Sequence, residues 1–252
     1  MRGDGDGWMT GPDGSRHWGK HGAAGLLLRA PMADRTPAVL LQHRALWSHQ
    51  GGTWALPGGA RDSHETTTHA AVREAHEEAG INIEAIRVRA EILTAKAASG
   101  WSYTTVIADT ERLIPTVANR ESVELRWVRE ADVASLPLHP GFEAGWPRLQ
   151  TVEVSLLLDR RAVPAEHAGV TSLSAELPRT VHLPDSTCGW LQRVEVLEAP
   201  QLTGRLAELT GHGTAVRTVT AIVSTDPDVV DRLPSTIMVL PPSTVLSWLS
   251  RP

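Results

Sequence analysis

The stretch that most constrains this chain is "LPGGARDSHETTTHAAVREAHEEAGI", Leu56 to Ile81. Its second part reads as a helix over Thr66–Ala79. Threonines are suited to cap its start, the interior is rich in Ala, Glu and Arg, and Gly80 is placed to stop it. On that helix Glu74, Glu77 and Glu78 stand at i, i+3 and i+4, so three carboxylates share one face. Like charges so close repel one another, and a hard divalent cation would relieve the repulsion. Mg²⁺ prefers oxygen ligands and is commonly held by one or two carboxylates together with substrate phosphates. Just upstream, Gly58 and Gly59 permit a close backbone approach to phosphate.

Three helical glutamates alone are more often a solvated face, but the wider spacing argues otherwise. From Gly59 the order is five residues, Glu65, seven residues, Arg73-Glu74, two residues, Glu77-Glu78, one residue, Gly80-Ile81. This resembles the Nudix box at every charged and glycine position. Seven such fixed positions would coincide by chance in roughly one window per billion. Ala75 departs from the pattern, standing where the family usually has a bulkier aliphatic residue, and predicts looser local packing.

The resemblance implies an α/β/α sandwich with a mixed sheet. It also implies Mg²⁺-dependent (or Mn²⁺-dependent) hydrolysis of a nucleoside diphosphate linked to another group. Carried over by position, it implies Glu74, Glu77 and Glu78 as metal ligands, with Glu65 assisting and Arg73 positioning the carboxylates, all within the catalytic set. Glu121, in "NRESVELRWV", sits where many members add an acidic residue as extra ligand or water-activating base. A plain surface glutamate is nearly as good a reading, and the choice of general base stays open. Glu78, read as an exposed helix residue, is expected to tolerate an isosteric change to Gln with little effect on stability.

Outside the box the chain also resembles MutT-like members of the family, mycobacterial ones in particular. That likeness is carried by "RGDGDGW", "HGAAGLLLRAP", "AVLLQHRALWSHQGGTW", "SYTTV" and "LPLHPGF". This implies 8-oxo-dGTP or 8-oxo-GTP as substrate, cleaved to the monophosphate and pyrophosphate. ADP-ribose, NADH and dinucleoside polyphosphates are the alternatives within the family, and a non-catalytic nucleotide sensor is the alternative outside it. Sensors commonly lose box glutamates, and none is missing here. By the same analogy Arg44, at a strand end, faces the cleft and contacts phosphate or base, together with the Gly58-Gly59 loop; a surface arginine is equally plausible. Trp47, Trp54, Trp101 and Tyr103 offer stacking surfaces, though any single tryptophan is more often core.

The rest of the sequence narrows the class. The chain has 252 residues and a net charge of −5, with no general basic footprint for nucleic acid. Cys188 is the single cysteine, which excludes an internal disulfide and a cysteine-based zinc site. No apolar run approaches the ~18 residues of a membrane span, so a cytoplasmic protein with no membrane partner is expected. A β-hairpin is predicted between Trp8 and Trp18 around "TGPDGSRH", followed by strands at "AAGLLLRA", "AVLLQHR", "AIRVRAEILTA", "SYTTVIAD" and "VELRWV". Two short closing helices are expected at "READVASLP" and "GFEAGWPRLQ".

The Nudix part is expected to fill residues 1–148. Residues 149–252 then form a smaller α/β unit of unknown role, with strands at "VEVSLLLD", "VEVLEA", "VTAIV" and "TIMVL". Helices are expected there at Gln201–Leu209 and Asp226–Leu233. The resemblance narrows in this part to "LPRT" at Leu177–Thr180. Asp159, Asp185, Asp226 and Asp231 are scattered acids that a metal-dependent nuclease would need to bring together; a packing role, with a homodimer left open, is the simpler expectation.

Overall fold

The computed structural model describes residues 3–162, 177–210 and 218–249. The chain divides into two compact units, Met1–Arg148 and Leu149–Pro252.

The first unit opens with an antiparallel hairpin, β1 (Trp8–Thr10) and β2 (Arg16–Trp18). There follow β3 (Ala23–Pro31), β4 (Pro37–Arg44), β5 (Trp54–Ala55), β6 (Gly58–Ala60), α1 (Thr67–Ala79), β7 (Arg87–Lys96), β8 (Ser102–Asp109), β9 (Ser122–Arg129) and α2 (Pro140–Leu149). Strands β5-β4-β3-β8-β7 form one mixed sheet, with β6 paired to β3 and β9 paired to β4. Alternation along the strands aims Ala24, Leu26, Leu28, Leu40, Val106 and Ala108 at one face. There they bury against Ala70, Ala71, Ala75 and Ala79 of α1. Ala75 is fully buried in this core. The mixed sheet with α1 on one face is the arrangement that the resemblance implies.

One topological detail makes room for a site. β3 pairs with β4 only between Arg29–Pro31 and Pro37–Val39. Beyond that point β6 takes over the freed side of β3, while β5 and β9 flank β4. The two central strands therefore part and leave a cleft between them. β6 was not expected, because Gly-Gly has poor strand propensity. Close pairing explains it: a Cβ on Gly58 would lie 2.5 Å from the carbonyl oxygen of Ala24. "READVASLP" closes as a 3₁₀ turn, Glu130–Ser135.

The second unit contains β10 (Thr151–Asp159), β11 (Arg179–His182), β12 (Cys188–Leu197), α3 (Ala199–Thr210), β13 (Thr218–Val223), α4 (Pro227–Val230), β14 (Ile237–Val239) and α5 (Pro242–Leu249). The sheet order is β11-β12-β10-β13-β14. All neighbours are parallel except β11, which runs against β12. Both faces are covered, as a parallel sheet requires. Leu156 and Leu158 pack with Val245 and Trp248 of α5, while Leu157 and Ile222 pack with Leu202 of α3. β11 and α5 carry too little periodic pattern to be read from sequence.

Candidate active site

The site is built by the turn from β6 into α1. Thr66 caps the helix by accepting from the His69 N–H at 3.1 Å, and Gly80 ends it in the left-handed conformation (φ 69°). Both ends being fixed, the glutamate face is set in rotation. Arg73 then anchors it. Its Nε and Nη2 donate to the two carboxylate oxygens of Glu65 at 2.7 and 3.0 Å, and Nη1 donates to Glu74 Oε1 at 2.7 Å. Nη2 also donates to the carbonyl of Ala60 on β6 at 3.0 Å. Glu65 additionally accepts from the Asp62 N–H at 3.0 Å, so its oxygens are engaged within the loop and helix. The Arg73 hydrogen bonds hold the Glu65 carboxyl below its usual range despite burial.

The three clustered glutamates differ sharply in environment. Glu77 is exposed at the helix surface, 3.7 Å from Arg73. Glu74 is mostly covered, and burial raises its pKa; Arg73 opposes that shift, while the charges of Glu77 and Glu121 add to it. Glu78 is buried, with 4% of its surface accessible, which corrects the expectation of an exposed helix residue. Its Oε2 accepts from the Gly58 N–H at 2.8 Å. Burial pushes its pKa up to about 8, with Glu74 adding to the shift and Gly58, Gln42 and Arg44 opposing it. Geometrically the i+4 residue points into the splayed sheet while the i+3 residue looks outward.

Whether a cation suits this cluster can be judged from its surroundings. The donors are all oxygens: the buried Glu78 and the mostly covered Glu74 repel one another, and Arg73 pairs with Glu74 while making no bond to Glu78 among the described residues. Gln42, fully buried on β4, donates through Nε2 to Ser122 Oγ at 2.8 Å and hydrogen-bonds Glu78. Its Oε1 is buried without a hydrogen-bond partner among the described residues. A buried carbonyl oxygen lacking a donor, beside a carboxylate that burial holds out of its charged form and a cluster with more acids than nearby arginines, fits a hydrated hard cation.

The NUDIX domain model matches residues 19–149. The chain belongs to the Nudix family. Over 209 residues it is 53% identical to a Mycobacterium tuberculosis protein named "Putative 8-oxo-dGTP diphosphatase 3", covering 81% of this chain and 92% of that one. That share exceeds the first unit, so the likeness runs well into the second, beyond the "LPRT" to which the sequence reading confined it. A Proteus vulgaris 8-oxo-dGTP diphosphatase is 40% identical over 63 residues, 25% of this chain and 52% of its own. Among solved structures, a Nudix hydrolase from M. smegmatis, RenU, is 64% identical with a TM-score of 0.56, covering 57% of this chain and 92% of that chain. The chain is accordingly a Nudix hydrolase.

The remaining candidate residues surround the Nudix helix. Glu121 is exposed in the turn before β9; its N–H donates to Asn119 Oδ1 at 2.8 Å, and its carbonyl accepts from the Ala45 N–H at 2.9 Å. It lies close enough for its charge to act on Glu74. Arg44 ends β4, donates from Nε to the carbonyl of His49 at 3.2 Å, and acts electrostatically on Glu78. Gly59 faces the helix: a Cβ there would lie 2.6 Å from the Glu74 carboxyl carbon. Trp54 is buried, stacked on His43 at 4.8 Å and covered by Arg126 at 4.7 Å, so it belongs to the scaffold. Trp47 is exposed.

Sequence reasoning missed Gln42, and a signal for it existed. It interrupts the apolar strand "AVLLQHR" on the same face as buried Leu40, where a polar side chain needs a reason. His139 was missed because nothing in its local sequence marks it. Asp4, Asp62 and His64 place ligand-type atoms within 4.8 Å of one another. Asp4 accepts from the N–H and Oγ of Ser63, and Asp62 accepts from the Gly5 N–H, so these groups clip the N-terminal arm to the loop before α1.

In the second unit Asp159 and Asp226 do converge, but on Arg161. Its Nη2 lies 2.9 Å from a carboxylate oxygen of each, and Asp159 also accepts from Ser224 Oγ at 2.8 Å. A guanidinium thus stands where a nuclease metal would. Asp185 accepts from the Thr187 N–H in its own turn, and Asp231 ends α4.

Proposed function

We propose that this Nudix hydrolase is a Mg²⁺-dependent nucleoside triphosphate diphosphatase, with Mn²⁺ able to substitute. It would convert 8-oxo-dGTP and 8-oxo-GTP to the monophosphate and pyrophosphate. The observation that carries this reading is the buried Glu74–Glu78 pair, braced by Arg73 and bonded to the Gly58 amide. The base assignment is supported by the name of the M. tuberculosis relative, whose likeness reaches far outside the box. A role in nucleotide-pool sanitation and DNA repair, in the cytoplasm, follows from that reading. Consistent with a soluble substrate, no helix among the described residues is long and apolar enough to cross a membrane.

The chain's own groups divide the work. Glu74, Glu77 and Glu78 would hold the cation, with Gln42 Oε1 facing its hydration shell. The bound metal would neutralise charge growing on the phosphoryl oxygens and lower the pKa of water. Arg73 and Glu65 act as positioning residues: their paired hydrogen bonds fix Glu74 to the helix and helix to β6. Gly58 and Gly59, whose missing side chains let β6 pack against β3 and against the Glu74 carboxylate, would bring their backbone up to the diphosphate beside that face. Arg44 offers a guanidinium to phosphate at the far bank. Glu121, exposed and within charge range of Glu74, or one of the box glutamates would accept the proton of the attacking water.

A panel of oxidised and normal nucleoside triphosphates, tested beside ADP-ribose, NADH and diadenosine polyphosphates with Mg²⁺, decides the assignment. Preference for 8-oxo-dGTP supports it. Preference for a sugar nucleotide or NADH overturns the substrate, and binding without cleavage overturns the catalysis.

A further inference from the structure

Hairpin β1–β2 lies ahead of the matched Nudix domain, which starts at residue 19. It is nevertheless tied into the catalytic end of the unit from two directions. On the β8 side, Trp101 Nε1 donates to the carbonyl of Trp18 at 2.9 Å, and the ring of His17 stacks on Trp101 at 4.5 Å. Trp101 in turn sits 6.4 Å from the ring of Tyr103, whose hydroxyl covers Gly25 and whose ionisation is opposed first by burial and then by the charge of Glu78.

On the β4–β5 side, Trp8 meets the ring of His49 at 5.4 Å in an edge contact, and His49 lies 6.2 Å from His139. Arg44, bonded to the His49 carbonyl, acts electrostatically on both His139 and Glu78. The hairpin therefore touches both banks of the cleft, through Trp101 on one side and His49 on the other.

The chemistry of this span differs from that of the metal end. It offers rings and imidazoles in place of acids. Trp8 is fixed by an edge contact to Trp18 at 5.4 Å and by the Arg16 guanidinium 4.8 Å over its ring, yet remains 40% exposed. Trp18 beside it is 42% exposed, so the two rings present adjoining apolar surface of the kind that binding sites use. His139 Nδ1 accepts from the Gly141 N–H at 3.1 Å at the start of α2, which leaves Nε2 as the protonated, donating nitrogen.

We propose that Trp8, with His49 and His139, forms the wall against which the substrate's nucleobase packs, so that the hairpin preceding the family domain sets base preference. Phosphates belong with Arg44 and the cation site. A planar base belongs with an indole and a neutral imidazole that can donate to a base carbonyl. This rests on the nucleotide diphosphatase reading above.

The test uses the full chain and its Trp8→Ala, Trp8→Phe and His49→Ala variants. The measurements are kcat and KM on 8-oxo-dGTP and dGTP, and calorimetric Kd for the non-hydrolysable α,β-methylene dGTP and for inorganic pyrophosphate. Loss of one base–aromatic stack should raise KM and the analogue Kd about five- to a hundredfold. kcat should fall much less, pyrophosphate binding should stay within about twofold, and Trp8→Phe should recover most of the loss. His49→Ala, at an exposed position, supplies the same test if Trp8→Ala does not fold. Unchanged KM in the folded variants, or an equal loss of pyrophosphate binding, overturns the wall while the diphosphatase reading stands. A parent that neither binds the analogue nor cleaves any nucleoside triphosphate removes both.

Discussion

The Gly58 N–H donates to Glu78 Oε2 at 2.8 Å, joining the loop before the helix to the last carboxylate of the cluster. Gly58 is itself paired to β3, so the bond fixes α1 against the sheet as well as orienting an acid. Burial raises the Glu78 carboxyl to about 8. Without a cation, the folded protein therefore holds a proton there that the unfolded chain releases near pH 4.5. The group's contribution to stability falls as pH rises from about 4.5 through 8.

The Glu78→Gln variant separates catalysis from this linkage. kcat should drop ~10²–10⁴-fold, the range of an essential acid–base or metal-ligating group. In metal-free buffer the amide removes the ionisation cost, so the variant should match the parent near pH 5 and exceed it at pH 8 and above, by an amount on the order of a few kcal/mol. Urea melts at the two pH values check this. A variant less stable than the parent at pH 8 would show that the carboxylate is compensated by some other group.

Arg73→Lys should act through metal affinity. Lysine cannot reproduce the forked bond to Glu65 while also reaching Glu74 and the Ala60 carbonyl. Loosening the support of a metal-ligating carboxylate typically costs ~10–100-fold in metal affinity or activity. The Mg²⁺ concentration for half-maximal rate should rise accordingly, with much of kcat recovered at saturating metal. Loss of kcat with an unchanged Mg²⁺ dependence would assign Arg73 to the substrate instead.

The two adjacent glycines should fail in different ways. A Cβ on Gly59 strikes the Glu74 carboxylate, which is the end of a side chain, whereas one on Gly58 strikes the backbone of Ala24 and Gly25 at 2.5 Å. Gly59→Ala should fold with a loss below ~1 kcal/mol but reduce kcat at least ~10-fold. Gly58→Ala should cost ~2 kcal/mol or more, because the β3–β6 pairing must shift. Thermal melts beside kinetics distinguish them, and equal melting temperatures would contradict the close approach at Gly58.

Much of the site was legible because its spacing is local. Glu74, Glu77, Glu78 and Arg73 share one helix, and a 3.6-residue period places them without knowledge of the rest. What the period does not show is depth. Glu78 is buried and Glu77 exposed because β3 and β4 diverge under one end of α1, a property of pairing over long sequence distances. Gln42, His49 and His139 escape for the same reason, since three separate segments bring them to the cleft. In the second unit the strongly apolar β10 and β13 could be read, while β11 is specified by its partner β12 more than by its own four residues.

Acid should probe the His139 corner. Burial, then the charges of Arg44 and His49, lower its pKa to about 4, against an ordinary value of 6.5. The folded state therefore binds fewer protons than the unfolded chain between those values. Stability from this group is present above about pH 6.5 and is lost as pH falls toward 4. His139→Gln should flatten that part of the stability–pH curve for the first unit, and its nucleotide KM should lose whatever acid limb lies near pH 4. An unchanged curve would show that the imidazole is already solvated and free to charge.

Asp159 tests the second unit by itself. It has no accessible surface, sits at the end of β10, and joins Arg161 to Ser224 just past β13. These are neighbouring parallel strands, so the carboxylate holds their C-terminal ends in register. Asp159→Ala leaves a guanidinium without one of its two acids and a hydroxyl without its acceptor. Removing one partner of a buried pair costs ~3–5 kcal/mol, less here because Arg161 is half exposed and keeps Asp226 at 2.9 Å. A loss of ~1–3 kcal/mol is expected in the urea transition that reports on Trp190 and Trp248. Full stability in Asp159→Ala would mean the strand ends are held by the apolar core alone. Asp159→Asn, which keeps an acceptor for Ser224 and loses only the charge, should fall between the two.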